Sequence, residues 1–441
     1  MPDGLTVVFF PEGAFGPTNN CVGIAEVLQA RGHRAVFVIE ESFAGNLEAQ
    51  GFEERLMRLT PPPAEPEVPG QFWKDFIRDT APIFRRPTIE ALEGFVLPTW
   101  QALCDGARHV DDRLLEIFDE VGPDVIVQDN VVAFPAIHAC GRPWVRIVSC
   151  NPTELRDADV PPTFSGYPVA DRSQWPDRSQ WTAFAEEYER THSDVWADFD
   201  EFGRSRGAPA LEHLEFMHVS EWCNLYLFPA EADYDRAVPL ASTFHRLESC
   251  VRASRASFVI PDALRAESRR GSRLVYLSLG SLGSADVGLM QRLVDVLGAT
   301  EHRVIVSKGP QADLIELPAN MWGEEFVPQP AILPLVDLVI THGGNNTTTE
   351  SFHHGKPMIV LPLFWDQHSN AQRVDELGFG RRLPTYSFEP AEMTKAIDAL
   401  TSDAGLRRRL AAMSSRLKAT PGTVAAAEFI ETVGRTAAPV M

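Results

Sequence analysis

Glycine, histidine, asparagine and threonine run together in Thr341-His342-Gly343-Gly344-Asn345-Asn346-Thr347-Thr348-Thr349-Glu350, directly after the apolar Leu338-Val339-Ile340. Glycines at a strand-to-helix turn let backbone amides face outward, and the side chains that follow suit the first turn of a helix. Such a helix start holds anions, because its free N–H groups and its dipole both favour negative charge. The chemistry this suits is the binding of a diphosphate. His342 adds a donor or a positive charge beside it. Glu350 lies one turn beyond Asn346 on the same face, where a carboxylate accepts hydrogen bonds from ribose hydroxyls. Taken alone, a Gly-Gly turn is more often an ordinary helix start.

The context argues for more. Gly355-Lys356-Pro357 leads into an apolar strand, Met358-Ile359-Val360-Leu361, and then Pro362-Leu363-Phe364-Trp365-Asp366-Gln367-His368-Ser369-Asn370-Ala371. An Asp-Gln pair at the C-terminal end of a strand offers acceptors and a donor to sugar hydroxyls, and open α/β sheets bind their ligands at that edge.

These segments need a parallel sheet to hold them. Leu274-Val275-Tyr276-Leu277-Ser278-Leu279, Val304-Ile305-Val306, Leu338-Val339-Ile340 and Met358-Ile359-Val360-Leu361 read as its strands. An earlier set begins with Leu5-Thr6-Val7-Val8-Phe9-Phe10. A loop, Glu12 to Asn20, and a helix, Val22 to Leu28, follow it, then a strand, Ala35-Val36-Phe37-Val38-Ile39. Strand, helix, strand is a βαβ unit. The rhythm returns at Asp124 to Asp129 and Trp144 to Val148. The division predicted is a first domain over 1–240, a linker over 241–271, a second domain over 272–420 and a helix over 421–441 that packs back on the first domain.

Between the strands of the first domain lie aromatic-rich stretches containing Phe72, Trp73, Phe76, Phe84, Trp175, Trp181, Phe184, Tyr188 and Trp196. They read first as amphipathic helices on the sheet, with some members lining an apolar pocket. Asp171-Arg172-Ser173-Gln174-Trp175 recurs as Asp177-Arg178-Ser179-Gln180-Trp181, a local duplication expected in a surface loop.

The formal charge of −21 over 441 residues speaks against nucleic acid and anionic membranes as partners. Cys21, Cys104, Cys140, Cys150, Cys223 and Cys250 form no CxxC pair. Scattered cysteines and the absence of a basic leader or a membrane-length apolar run point to the cytoplasm.

Phe326-Val327-Pro328-Gln329, the Thr341–Glu350 segment and Asp366-Gln367 with Asn370-Ala371 together resemble the donor signature of family 1 glycosyltransferases, the group of UDP-glycosyltransferases and macrolide glycosyltransferases. Ala30-Arg31-Gly32-His33-Arg34 and Leu279-Gly280-Ser281 extend the likeness. The resemblance implies a GT-B fold, two Rossmann-like domains facing across a cleft, with 1–240 the acceptor-binding domain and 272–420 the nucleotide-sugar-binding domain. It implies an inverting transfer from a UDP- or dTDP-sugar, with glucose suggested by Gln367, to a hydroxyl of a small apolar acceptor such as a polyketide, flavonoid or antibiotic. The nucleotide sugar is then a substrate, and no cofactor is needed. By position, Phe326 matches the aromatic that stacks on the base, and Val327 the residue whose backbone reads its edge. His342, Gly344, Asn346 and Thr347 fall at the diphosphate, Glu350 at the ribose, Asp366 and Gln367 at the sugar, and Ser281 near the diphosphate.

One position departs from the family. Where its members carry a general-base histidine in the pattern His-x-x-Pro, this chain has Pro17, which cannot take a proton. The family's partner aspartate is present as Asp129. Glu12 and Asp129 both follow parallel strands and are the carboxylates expected to take the acceptor proton. His138 and the absence of any protein base are the alternatives. Asp157-Ala158-Asp159 fits a metal-binding DxD pattern, but helix amides and His342 can stabilise the leaving diphosphate, so no metal is expected. Two rival functions follow from the missing histidine and from the architecture: a non-catalytic sugar-nucleotide-binding activator, and a sugar-nucleotide epimerase.

Overall fold

The computed structural model describes residues 4–61, 75, 78–79, 81–169, 178–252, 257–265 and 271–441. Two wholly parallel sheets organise them. The first has seven strands in the order β3-β2-β1-β4-β5-β6-β7. They are Thr6–Pro11 (β1), Arg34–Glu40 (β2), Glu53–Met57 (β3), Val125–Asp129 (β4), Trp144–Val148 (β5), Cys223–Tyr226 (β6) and Phe244–Arg246 (β7). The second has six, in the order β10-β9-β8-β11-β12-β13. Its members are Leu274–Ser278 (β8), Arg303–Ser307 (β9), Met321–Glu324 (β10), Leu338–Thr341 (β11), Met358–Val360 (β12) and Gly380–Arg382 (β13).

The central strands are the apolar runs visible in the sequence, buried on both faces as parallel sheets require. The strands the sequence hid are mostly the edges. Glu53-Glu54-Arg55-Leu56-Met57 and Gly380-Arg381-Arg382 pair on one side only and carry the charges that edge strands commonly show. Interior β6 escaped because Asn224 interrupts it; that side chain is buried and satisfied by the Ser220 carbonyl at 2.7 Å.

The helices that matter here are Phe15–Ala30 (α1), Leu97–Val121 (α2), Pro135–Ala139 (α3), Ser179–Ser205 (α4), Asn345–His353 (α5), Gln367–Glu376 (α6) and Gly422–Thr436 (α7). Helix α1 starts earlier than its apolar pattern suggested, so the expected loop shortens to residues 12–14. Pro17 lies in the first turn, where a missing N–H breaks no helical bond. Helix α7 returns to the first sheet. Ala426, Ala427, Ile430 and Val433 share a core with Val7, Phe9, Ile24 and Phe37.

Three expectations need restating. Strand β7 lies inside 241–271, the stretch read as linker, and closes the first sheet. Ser179-Gln180-Trp181, from the second copy of the duplicated segment, opens α4 and is not surface loop; the first copy lies outside the described residues. Among the aromatics, Phe84, Phe184 and Tyr188 are core, whereas Phe72, Trp73, Phe76 and Trp175 lie outside the described residues. All six cysteines are free. No helix among the described residues is long and apolar enough to cross a membrane.

Candidate active site

In each sheet the strand order reverses between two neighbours, β1 and β4 in the first and β8 and β11 in the second. A crevice opens at the C-terminal ends of strands at such a point. Glu12 follows β1 and Asp129 ends β4, in register with Pro11. Gly280 and Ser281 follow β8, and His342 follows β11, where Thr341 pairs with Ser278. The two crevices face each other. Asn345 Nδ2 donates across the boundary to the carbonyls of Ser149 at 2.8 Å and Leu227 at 3.0 Å. The Asn151 amide donates to Asp366 at 2.9 Å.

Helix α5 is polar yet almost wholly buried. It tolerates burial because its hydroxyls bond to its own carbonyls: Thr348 to Gly344 at 3.1 Å, Thr349 to Asn345 at 3.0 Å and Ser351 to Thr347 at 2.7 Å. Its N-cap, Gly344, supplies no side-chain cap and the first turn holds no acidic residue. The N–H groups of Asn345, Asn346 and Thr347 therefore stay free for an anion. Gly343 has φ +88°, and a Cβ there would meet Val360 at 2.6 Å.

His342 is wedged between glycines. A Cβ on Gly280 would stand 2.8 Å from its ring and one on Gly344 2.6 Å. Burial lowers its pKa to about 4, against a smaller raising effect of the Ser278 carbonyl. The ring is thus neutral at neutral pH in the free protein. Of the two roles expected of it, donor and fixed positive charge, this environment suits the donor. Ser281 follows Gly280 in the helical turn Gly280–Gly283.

Glu350 is 3% exposed and accepts from Gln329 Nε2 at 2.6 Å and Asn346 Nδ2 at 3.3 Å. Gln329 also reaches Thr347 Oγ1 at 3.3 Å and accepts from the Tyr276 hydroxyl at 3.1 Å. It ties the strand–helix turn to the segment carrying Phe326 and Val327. Phe326 is 53% exposed. The Val327 carbonyl accepts from the Gln329 amide at 2.8 Å.

Asp366 is buried, with Asn370 Nδ2 at 3.3 Å from the oxygen that Asn151 also binds. Gln367 turns its carbonyl inward onto the amides of Leu363 at 3.0 Å and Phe364 at 3.3 Å. Before Asp366 stands Trp365 with φ +55°, a conformation a bulky residue adopts only when its surroundings compel it. The first domain supplies that compulsion: Phe164 packs on Trp365 at 4.4 Å and Trp100 at 5.2 Å.

On the opposite wall the carboxylates crowd. Burial, opposed by Ser149 Oγ donating at 2.6 Å and reinforced by Glu12 and Glu154, raises Asp129 to about 8. Burial and the charge of Asp366 raise Glu12 to about 7. Glu154 is raised to about 7 by burial, with Arg146 opposing. Asp129 is 2% exposed, whereas Glu12 is only partly buried. The Glu12 amide donates to the Asp129 carbonyl at 2.7 Å.

His138 is not in this group. It sits on α3 with its ring 4.5 Å from His218 and 5.7 Å from Trp144. Asp157 and Asp159 are committed elsewhere. Asp157 accepts from the amides of Asp159, Ala237 and Val238 at 2.8, 2.8 and 3.0 Å, and Asp159 pairs with Arg178 at 2.7 Å.

Sequence reasoning overlooked Glu154, Asn151, Trp365 and the function of Gln329. Only Gln329 carried a signal, standing in the quoted Phe326–Gln329 motif. The others act through contacts between distant segments.

Residues 291–432 match the model described as the C-terminal domain of erythromycin biosynthesis protein CIII-like proteins. The chain is 25% identical over 431 residues to the demethyllactenocin mycarosyltransferase of Streptomyces fradiae, covering 96% of this chain and 86% of that one. Its fold is that of a solved kitacinnamycin glycotransferase, with TM-score 0.71 and 22% identity over 98% of this chain and 99% of that one. It also superposes on a spinosyn rhamnosyltransferase complexed with thymidine diphosphate, with TM-score 0.61 and 19% identity over 97% and 100% of the two chains. Neither the epimerase nor the activator reading is favoured by these likenesses. The chain is a glycosyltransferase with the GT-B fold, and its residues 291–432 match an erythromycin biosynthesis protein CIII-like C-terminal domain.

Proposed function

We propose that the enzyme moves a sugar from a UDP- or dTDP-sugar to a hydroxyl of a small, largely apolar natural product in the cytoplasm, with inversion and without a metal. The observation that carries this is the opposition of two strand-end crevices, one offering free helix amides with His342, the other offering Glu12 above Asp129. An anionic leaving group is stabilised on one side while a proton is taken on the other, which is the demand of a single displacement at an anomeric carbon. Phe326 would stack on the base, Val327 meet its edge and Glu350 hold the ribose. Ser281, His342, Gly344, Asn346 and Thr347 would receive the diphosphate, and Asp366 with Gln367 the sugar. The commitment of Asp157 and Asp159 to amides and Arg178 supports a mechanism without a cation.

The test is incubation with UDP-glucose, dTDP-glucose and dTDP-rhamnose against macrolide and phenolic aglycones, with products read by mass spectrometry and anomeric configuration by NMR. A glycoside of inverted configuration, formed equally well in excess chelator, is expected. Retained configuration would overturn the single displacement. Activity lost to chelator and restored by manganese would overturn the metal-free reading.

A further inference from the structure

Two large apolar side chains stand in solvent on facing walls of the cleft. Phe15, the first residue of α1, is 50% exposed, and Phe326 of the second domain is 53% exposed. Their ring centroids are 6.2 Å apart and their planes are inclined by 45°. Behind Phe15 the buried Phe43 packs at 5.3 Å. Single exposed apolar residues are ordinary on any surface. A pair contributed by separate domains, each leaving half its ring wet, is a wedge open to something flat and apolar.

What lies beside the wedge names the occupant. Gln329, in the segment that carries Phe326, bonds to Glu350, the residue assigned to ribose. A base attached to that ribose falls next to Phe326. Phe15 closes the other side, because the start of α1 abuts the start of α5: a Cβ on Gly16 would lie 3.7 Å from Asn346. We propose that Phe15 forms the second face of a nucleobase clamp, so that the acceptor domain takes part in gripping the donor nucleotide. The proposal rests on the donor site described under Proposed function. Stacking on both faces requires ring planes about 7 Å apart, two van der Waals contacts of about 3.5 Å each. Both side chains are half exposed, so reaching that spacing requires no displacement of buried core, and Phe43 backs one of them.

The clamp makes nucleotide affinity depend on a residue outside the nucleotide-binding domain. Calorimetric titration of UDP, dTDP and inorganic pyrophosphate is the test, with the wild type, Phe15→Ala and Phe326→Ala. Phe15→Ala should lose about tenfold in affinity for UDP or dTDP, the scale of one base–aromatic stack, with the response to pyrophosphate unchanged. Phe15→Trp should restore the affinity, and its fluorescence should be quenched by nucleotide but not by pyrophosphate. If Phe326→Ala weakens nucleotide binding and Phe15→Ala does not, the clamp is wrong and the donor site stands. Nucleotide binding unaffected by either substitution would remove the donor site itself. An equal loss for nucleotide and pyrophosphate in Phe15→Ala would show a structural effect and overturn the clamp, as would nucleotide that leaves the Phe15→Trp fluorescence unquenched.

Discussion

The backbone amide of Asn151, in the first domain, donates to the carboxylate of Asp366, in the second, at 2.9 Å. The side chain of Asn151 continues the joint, donating to Asn370 Oδ1 at 2.8 Å and accepting from the Thr153 amide at 3.0 Å. Asn151 is fully buried. The carboxylate proposed to meet the sugar is thus aimed by the first domain. Asn151→Ala removes the side-chain bonds and leaves the amide. Losing a buried hydrogen bond costs about 1 kcal/mol, a several-fold change in an equilibrium. We expect the KM for nucleotide sugar to rise several-fold while the Kd for the free nucleoside diphosphate stays put. Equal changes in both constants would show that Asn151 does not act through the sugar.

His342 is predicted to matter through its hydrogen bond to the leaving group. His342→Ala should lower turnover by a factor of about a hundred or more, the usual cost of removing one preorganised donor. Its pKa, about 4 in the free protein, must rise when a dianion binds beside it. At pH values between the free and the raised pKa binding therefore takes up a proton, and nucleotide affinity should strengthen as pH falls through the raised value. Calorimetry in buffers of different ionisation enthalpy detects that proton. Identical apparent enthalpies in all buffers for wild type and His342→Ala would remove the linkage.

Gly280 offers an independent check on the same ring. A Cβ there would meet His342 Cε1 at 2.8 Å, on backbone already at φ +70°. Gly280→Ala should reproduce much of the His342→Ala defect in turnover while leaving acceptor binding intact. Wild-type turnover in Gly280→Ala would show that the ring need not sit where the glycines hold it.

Asp129 links the site to stability. Its folded pKa, about 8, lies above the unfolded value, about 4. The stabilising effect of keeping it protonated is complete below about pH 4 and is lost as pH rises through 8, reaching on the order of 5 kcal/mol when the buried group is fully ionised. Asn at this position cannot ionise. The apparent Tm of Asp129→Asn should gain on the wild type between pH 5 and pH 9. A constant difference across that range would mean that Asp129 does not titrate there.

How far the sequence carried follows from where the information sat. The interior strands and the Thr341–Glu350 turn were legible because apolar runs and glycines record local demands. Helix α1 was legible only from Val22, since its first turn faces the cleft and lacks the apolar period; that turn contains Pro17 and Phe15. Asn151, Glu154 and Trp365 left no trace, because each owes its environment to a segment remote in the chain. Trp365 is the clearest instance: nothing in Phe364-Trp365-Asp366 demands a positive φ, and the packing of Phe164 and Trp100 does.

The base is where structure divides what the sequence left joined. Glu12 and Asp129 are neighbours through the bond from the Glu12 amide to the Asp129 carbonyl, 2.7 Å long. Their surroundings differ. Asp129 is 2% exposed and held by Ser149, with a pKa near 8, so it carries its proton at neutral pH. Glu12 is partly exposed and its pKa is about 7, so near neutrality roughly half of it is ionised and able to accept a proton. Glu12→Gln should therefore lower turnover of an aliphatic alcohol by about a hundredfold or more with nucleotide binding intact. Asp129→Asn should cost much less, since Asn keeps the uncharged, hydrogen-bonding form that Asp129 holds at pH 7. In the wild type, kcat/KM for the alcohol should climb as pH rises through about 7, and Glu12→Gln should flatten that limb. An acidic phenol ionises unaided and should react at similar rates with both enzymes, which separates loss of the base from loss of the fold. If Glu12→Gln glycosylates the alcohol at the wild-type rate and Asp129→Asn does not, the roles are reversed. If both match the wild type, neither carboxylate takes the proton.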